Sequence, residues 1–121
     1  MSACFCDYDP PEFYAQVVRS SRKPRKCEEC RRPILIGERY ENASGKWGGS
    51  FDTFYTCEDC VSLRQWVVAH VPCCCWSHGN LHEDLHNTAD EYRSTPGLLF
   101  GFLRRLIRIR RKATNMREAK E

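Results

Sequence analysis

Two pairs of cysteines with the same internal spacing constrain this chain more than any other feature. Cys27-Glu-Glu-Cys30 and Cys57-Glu-Asp-Cys60 are both C-x-x-C motifs, and 26 residues separate them. Cysteines at this spacing can curl round one metal ion, and two such pairs supply the four thiolates of the tetrahedral site that zinc favours. Four protein ligands leave no open coordination position, so the pattern predicts a structural zinc ion rather than a catalytic one.

The expected compartment supports metal binding over disulfide formation. The chain has 121 residues, enough for one domain, and nine cysteines, an odd number that cannot pair completely within one chain. Residues 1–7 contain neither a positive leader nor an apolar stretch, so we expect the protein to stay in a reducing cytoplasm. Metal ligation is the preferred explanation for paired cysteines in that compartment.

The chain around the two pairs predicts a small α+β domain. Residues 33–56 lack helical periodicity and combine aromatic residues with four glycines, which is typical of short strands joined by turns. A helix is expected from Glu58, because Leu63, Trp66 and Val67 recur at helical spacing. A zinc knuckle, a β-hairpin and a second knuckle leading into a helix form a treble-clef-like arrangement, and we predict that zinc stabilises it.

Three further helices are predicted to flank this zinc-binding unit. The first starts with Asp9 as its N-cap, followed by proline, and ends near Ser20. The second starts at Asn80, the N-cap of an Asn-x-x-Glu capping box. The third follows a Thr-Pro-Gly break and runs from about Leu98 to Lys112.

The last predicted helix has an apolar face and a basic face. Residues 97–121 carry a net charge of +6 in a chain of +3, so residues 1–96 carry −3. We therefore predict a zinc-binding domain at 1–96 and a basic amphipathic helix with its tail at 97–121. The apolar half is expected to dock on the rest of the chain or on a second copy. The predicted partner-binding residues are Arg104, Arg105, Arg108 and Arg111.

A second metal site is a further prediction, because five cysteines lie outside the two C-x-x-C pairs. Cys4 and Cys6 form a C-x-C pair, and a run of three cysteines ends at Cys75, three residues before His78. Cys4, Cys6, Cys75 and His78 could close a second zinc site if the N-terminal segment packs back on the chain. Which of Cys73, Cys74 and Cys75 is a ligand stays open. The alternative is that all five are reduced thiols that pack as small hydrophobic residues.

Several motifs around the cysteines form a recognisable set. They are Cys4-x-Cys6-Asp-Tyr-Asp, Cys27-Glu-Glu-Cys30, Ile36-Gly-Glu-Arg-Tyr-Glu41, Gly45-Lys-Trp47, Thr56-Cys-Glu-Asp-Cys60 and Cys75-x-x-His78-Gly79. With these motifs, residues 3–86 resemble a family of small phage and prophage proteins that mostly lack assigned functions. The resemblance implies a phage-encoded zinc protein that acts inside a bacterial host. It does not extend to the basic tail.

One motif suggests an enzyme. His82-Glu83-Asp84-Leu85-His86 matches H-E-x-x-H, in which two histidines one helical turn apart bind zinc and the glutamate polarises its water. A zinc-dependent hydrolase built on His82, Glu83 and His86 is therefore an alternative hypothesis. No third ligand follows at a familiar spacing, and Asp84 places a charge where such helices are usually apolar. We predict no catalytic residues and no enzymatic activity.

The preferred function is that of a non-enzymatic binding module in the host cytoplasm. Its basic segments favour nucleic acid, or a host complex that handles nucleic acid or defends the cell against phage. The sequence does not distinguish direct nucleic-acid binding from antagonism of a host protein. A homodimer is compatible with the apolar face of the last helix. A membrane-surface role for residues 98–112 is a less favoured alternative, because no lipidation motif accompanies them.

Overall fold

The computed structural model describes Cys6 and residues 11–119, which form a mixed α+β fold. Three helices pack beside a three-stranded antiparallel sheet of order β1-β4-β5 and a two-stranded antiparallel sheet, β2-β3. The strands are β1 Phe13–Ser20, β2 Arg25–Lys26, β3 Pro33–Ile34, β4 Arg39–Trp47 and β5 Ser50–Cys57. The helices are α1 Glu58–His70, α2 Leu81–Glu91 and α3 Leu98–Ala119.

Strand β1 corrects the predicted N-terminal helix, which is wrong from Phe13 onward; its start at Asp9 lies outside the described residues. β1 pairs with β4 along its whole length, from Phe13 opposite Lys46 to Ser20 opposite Arg39. Aromatic and β-branched residues favour a strand, and β4 pairs with the backbone groups of β1 that face it. This long-range pairing outweighs the local capping signals that suggested a helix.

The β4–β5 hairpin positions the second cysteine pair. It turns at Gly48 and Gly49, whose φ angles of 55° and 86° suit a two-residue turn that needs two left-handed residues. Its strands, of nine and eight residues, are longer than the short strands expected. At Gly45, an added Cβ would lie 2.5 Å from the indole of Trp47. Only glycine leaves room for the Trp47 ring at this position.

A buried ion pair joins the sheet to α1. Arg64 of α1 donates two hydrogen bonds to the carboxylate of Glu41 in β4, one of them 2.9 Å long. The guanidinium of Arg64 also lies 4.5 Å from the ring centroid of Trp76. Because both charged side chains are buried, each depends on the other for its compensation.

Helix α3 docks on the rest of the chain, as the sequence predicted for its apolar half. Leu98, Phe102 and Leu106 are buried against α1 and α2, and α3 continues beyond Lys112 to Ala119. Two residues of the predicted apolar face remain outside the core, since Phe100 is 70% exposed and Ile107 is 48% exposed. In the part of the chain that the structure describes, no helix is both long and apolar enough to cross a membrane.

The start of α2 differs in detail from the predicted capping box. Asn80 is the N-cap, but its side chain makes no capping hydrogen bond and instead donates to Asp84 Oδ1 at 3.0 Å. The carboxylate of Glu29 takes over the capping role. It accepts hydrogen bonds from the backbone N–H groups of Gly79 at 2.8 Å and Leu81 at 3.1 Å. α2 is thereby anchored to the loop that carries the first cysteine pair.

Candidate metal centre

Four buried thiols converge at the centre of the fold. Their Sγ atoms all lie within 4.8 Å of one another, with Cys27 and Cys60 at 3.9 Å and Cys30 and Cys57 at 3.6 Å. A zinc–sulfur bond of about 2.3 Å in a tetrahedral site places neighbouring sulfur atoms about 3.8 Å apart. The cluster of Cys27, Cys30, Cys57 and Cys60 therefore has the dimensions to bind one metal ion, and its donor set is the one that zinc prefers.

The first pair lies in a tight turn between β2 and β3. The N–H of Cys27 donates to the carbonyl of Arg32 at 3.0 Å, and the N–H of Arg31 donates to the carbonyl of Cys27 at 3.1 Å. Arg31 adopts a positive φ of 68°, a left-handed conformation that reverses the chain after Cys30. This turn brings both sulfur atoms of the pair to one side.

The second pair lies where β5 meets α1. Cys57 is the last residue of β5 and the N-cap of α1, and Cys60 lies in the first helical turn. The amino end of a helix carries a partial positive charge, which favours thiolates placed there. The strand-to-helix junction therefore supplies both the geometry and part of the electrostatic stabilisation.

Hydrogen bonds to sulfur support the thiolate form. Cys27 Sγ accepts from the N–H groups of Glu29 at 3.4 Å and Cys57 at 3.3 Å. Hydrogen bonds from Cys30, Cys57 and Cys60 lower the pKa of Cys27, despite its burial. Hydrogen bonds with Cys27, Cys30 and Cys57, together with burial, raise the pKa of Cys60. Four neighbouring thiolates would repel one another. A divalent cation would offset that repulsion and allow all four to ionise.

A buried arginine adds positive charge beside the cluster. Arg32 forms ion pairs with Glu38 at 2.8 Å and Asp59 at 3.3 Å. Burial acts to lower the pKa of Arg32, but the hydrogen bond to Glu38 and the charge of Cys57 raise it above its ordinary value. Asp59 also pairs with Lys112 of α3 at 2.9 Å, so the second cysteine pair is linked to the C-terminal helix.

The second predicted metal site is only partly assembled as expected. Cys6 and Cys75 come together and form a disulfide, and Cys73 Sγ lies 3.9 Å from Cys75 Sγ. Cys4 lies outside the described residues. The structure places His78 elsewhere: its Nε2 lies 2.8 Å from the hydroxyl of Tyr14, and its ring stacks on Phe54 at 4.8 Å. Cys73, rather than His78, joins the cluster.

The two histidines of the H-E-x-x-H motif have different surroundings. His82 Nε2 lies 3.2 Å from Cys60 Sγ, whereas the exposed His86 ring lies 5.5 Å from the Phe102 ring. Among the described residues, no potential metal-binding group contains His82, Glu83 or His86. The three side chains line a cavity of about 610 Å³ between α2 and α3, but His82 is directed at the thiol cluster.

The basic face of α3 is largely solvent-exposed. Arg104, Arg108 and Arg111 are exposed, and among the described residues none of them forms an ion pair. Arg105 differs from the other three predicted partner-binding residues. Its guanidinium lies 4.1 Å from the centroid of the Trp66 ring and donates to the carbonyl of Gly101 at 3.0 Å, so part of its role is to attach α3 to α1.

Sequence reasoning missed how three residues support the metal centre. Glu29 caps α2, Arg32 lies beside Cys57, and His82 contacts Cys60. Glu29 and Arg32 each lie within two residues of a cysteine, which was the only local signal available. The contact between His82 and Cys60 spans 22 residues and has no sequence signature.

Comparisons with protein-family models, curated proteins and solved structures find no match for this chain. The resemblance to small phage proteins is therefore untested and stays a prediction.

Proposed function

We propose that this chain is a zinc-stabilised, non-enzymatic binding module whose helix α3 engages nucleic acid. The observation that carries the proposal is the row of exposed arginines on α3, Arg104, Arg108 and Arg111, which have no acidic partner among the described residues. Exposed cations without internal partners are available to neutralise phosphates, which supply most of the affinity in nucleic-acid binding.

The spacing of the three arginines supports this role. At a rise of about 1.5 Å per residue, Arg104 lies roughly 6 Å from Arg108 and 10.5 Å from Arg111 along the helix axis. At 100° per residue the three fall within about 60° of one another, on the side of α3 opposite its buried residues. The row thus spans the axial length of about three nucleotides of one strand, at 3.4 Å each.

Zinc at Cys27, Cys30, Cys57 and Cys60 is proposed to stabilise the platform on which α3 lies. The order of a β2–β3 knuckle, the β4–β5 hairpin and the α1 helix supports a treble-clef arrangement. α3 packs against α1, and Lys112 binds Asp59 beside Cys60. Loss of the ion would therefore disturb the helix that carries the arginines as well as the cluster itself.

The test is binding to a fluorescently labelled random-sequence duplex, measured by anisotropy. Reversal of Arg104, Arg108 and Arg111 to Glu should weaken binding by about tenfold or more at low salt. The matched control reverses Arg19, Arg22 and Lys23, which are also exposed and give the same change of net charge. If both triple variants lose affinity equally, the α3 proposal is contradicted.

A protein partner is the second candidate, because Phe100 and Ile107 are exposed beside the arginines. An apolar and arginine-rich surface is typical of protein interfaces. The sequence suggests that this chain is a phage-encoded protein that acts in the bacterial cytoplasm. Its proposed partner is a host complex that handles nucleic acid or acts in defence. Stoichiometric capture of one host complex, lost on Phe100→Ser and Ile107→Ser but without duplex binding, would favour this candidate.

A further inference from the structure

We propose that Cys6, Cys73 and Cys75 form a second metal site, which takes zinc once its disulfides are reduced. The three Sγ atoms lie within 4.8 Å of one another. The 3.9 Å between Cys73 and Cys75 equals the 3.9 Å between Cys27 and Cys60 in the first cluster. It is also close to the sulfur–sulfur edge of about 3.8 Å expected for tetrahedral zinc.

The cluster gathers sulfur atoms that belong to more than one disulfide. Cys73 is disulfide-bonded, as are Cys6 and Cys75, so sulfur atoms of different bonds are packed into one cluster. A disulfide bond joins two sulfur atoms and does not require a third sulfur atom nearby. A tetrahedral thiolate site requires such a gathering.

The redox step is a thiol–disulfide exchange. A small dithiol or the cellular dithiol pool donates two electrons and two protons to each disulfide, and is itself oxidised to a disulfide. The sulfur–sulfur bond breaks and leaves two thiols on the protein. Zinc then binds the thiolates, and the thiol protons pass to solvent.

The described residues supply three of the four ligands that a tetrahedral zinc site takes, Cys6, Cys73 and Cys75. His78 is engaged with Tyr14. Cys74 is a free thiol and is not part of the cluster. The site would tie the N-terminal segment to the loop between α1 and α2, across a sequence separation of 69 residues.

The first test is the zinc content of the full chain, purified with zinc and a dithiol reductant. The wild type should bind about two zinc ions per chain, and the double variant Cys73→Ser, Cys75→Ser about one. The matched control is Cys74→Ser, which removes the neighbouring thiol and should retain about two. One zinc ion in the wild type, or two in the double variant, would overturn the proposal.

The second test needs no variant and covers the case in which the double variant fails to fold. The reduced, zinc-loaded wild type is treated with an alkylating reagent and digested, and modified cysteines are identified by mass spectrometry. Cys6, Cys73 and Cys75 should be protected until a chelator is added, whereas Cys74 should react without it. Equal modification of all four before chelation would show that no metal protects the cluster.

Discussion

Removal of the guanidinium of Arg64 should strongly destabilise the fold, because it breaks the ion pair between α1 and the sheet. Arg64 and Glu41 bond through two N–H groups, and their side chains are 9% and 3% exposed. Arg64→Met keeps the apolar stem but leaves the Glu41 carboxylate buried without a countercharge. Breaking a buried pair in this way costs about 3–5 kcal/mol, a large fraction of the 5–15 kcal/mol typical of a domain.

Most of the lost stability should come from the Glu41 carboxylate, which stays buried without a countercharge, rather than from the loss of its attraction to Arg64. The double variant Glu41→Leu, Arg64→Met removes both charges, and apolar replacement of a buried pair is often nearly neutral. We therefore expect the double variant to be more stable than Arg64→Met alone, with a coupling energy of at least about 2 kcal/mol. Additive losses from the two single variants would refute the reasoning.

The assay is urea denaturation at saturating zinc under reducing conditions, for the wild type, both single variants and the double variant. The change should appear in the midpoint while the slope with denaturant stays constant. A cost below about 1 kcal/mol for Arg64→Met would mean that water reaches Glu41 and that the pair is not buried in solution.

Three further predictions concern the metal centre, the cap of α2 and the half-buried His78. Cys57→Ser, or chelation of the wild type, should unfold the protein as seen by circular dichroism, because structural zinc contributes about 10–16 kcal/mol; a native melting curve after chelation would contradict this. Glu29→Gln removes one of the two carboxylate oxygens that accept hydrogen bonds from the N–H groups of Gly79 and Leu81. The change should lower the free energy of unfolding by about 1–2 kcal/mol and speed amide exchange in α2; the control Glu28→Gln should do neither. Burial is the main cause that lowers the pKa of His78 below 6.5, while the charge of Glu41 acts to raise this pKa and the charge of Arg64 acts to lower it. The hydroxyl of Tyr14 lies within hydrogen-bond distance of the imidazole Nε2 of His78. The folded state therefore disfavours the imidazolium, so stability should fall as pH drops below about 6.5, and His78→Phe should reduce that slope; an unchanged slope would be the contrary result.

The features that local chemistry determines could be predicted from the sequence. Each C-x-x-C spacing predicts that the two thiols of a pair share one site, and the apolar periodicity predicts the helix that starts at Glu58 and the one that starts at Leu98. Both helices begin at these residues. The geometry of each cysteine pair depends on only four consecutive residues. The helices depend on contacts between residues that are three and four positions apart.

The features that depend on long-range contacts could not be predicted. All eight residues of β1 are exposed, so the strand shows no alternation of buried and exposed positions, and only its pairing with β4 explains it. His78 matched the spacing of a metal ligand, but its ring packs among Tyr14, Phe54 and Trp76. Arg105 lies beside its basic neighbours in sequence and still packs on Trp66.

The salt dependence of duplex binding tests the central claim most directly. If Arg104, Arg108 and Arg111 each neutralise one phosphate, the slope of log K against log salt concentration should be about −2.7, from −0.9 for each contact. The variant with all three reversed to Glu should bring the slope close to zero, while the control at Arg19, Arg22 and Lys23 should retain it. Salt-independent binding by the wild type, or an unchanged slope in the α3 variant, would contradict the proposal that α3 is a nucleic-acid surface.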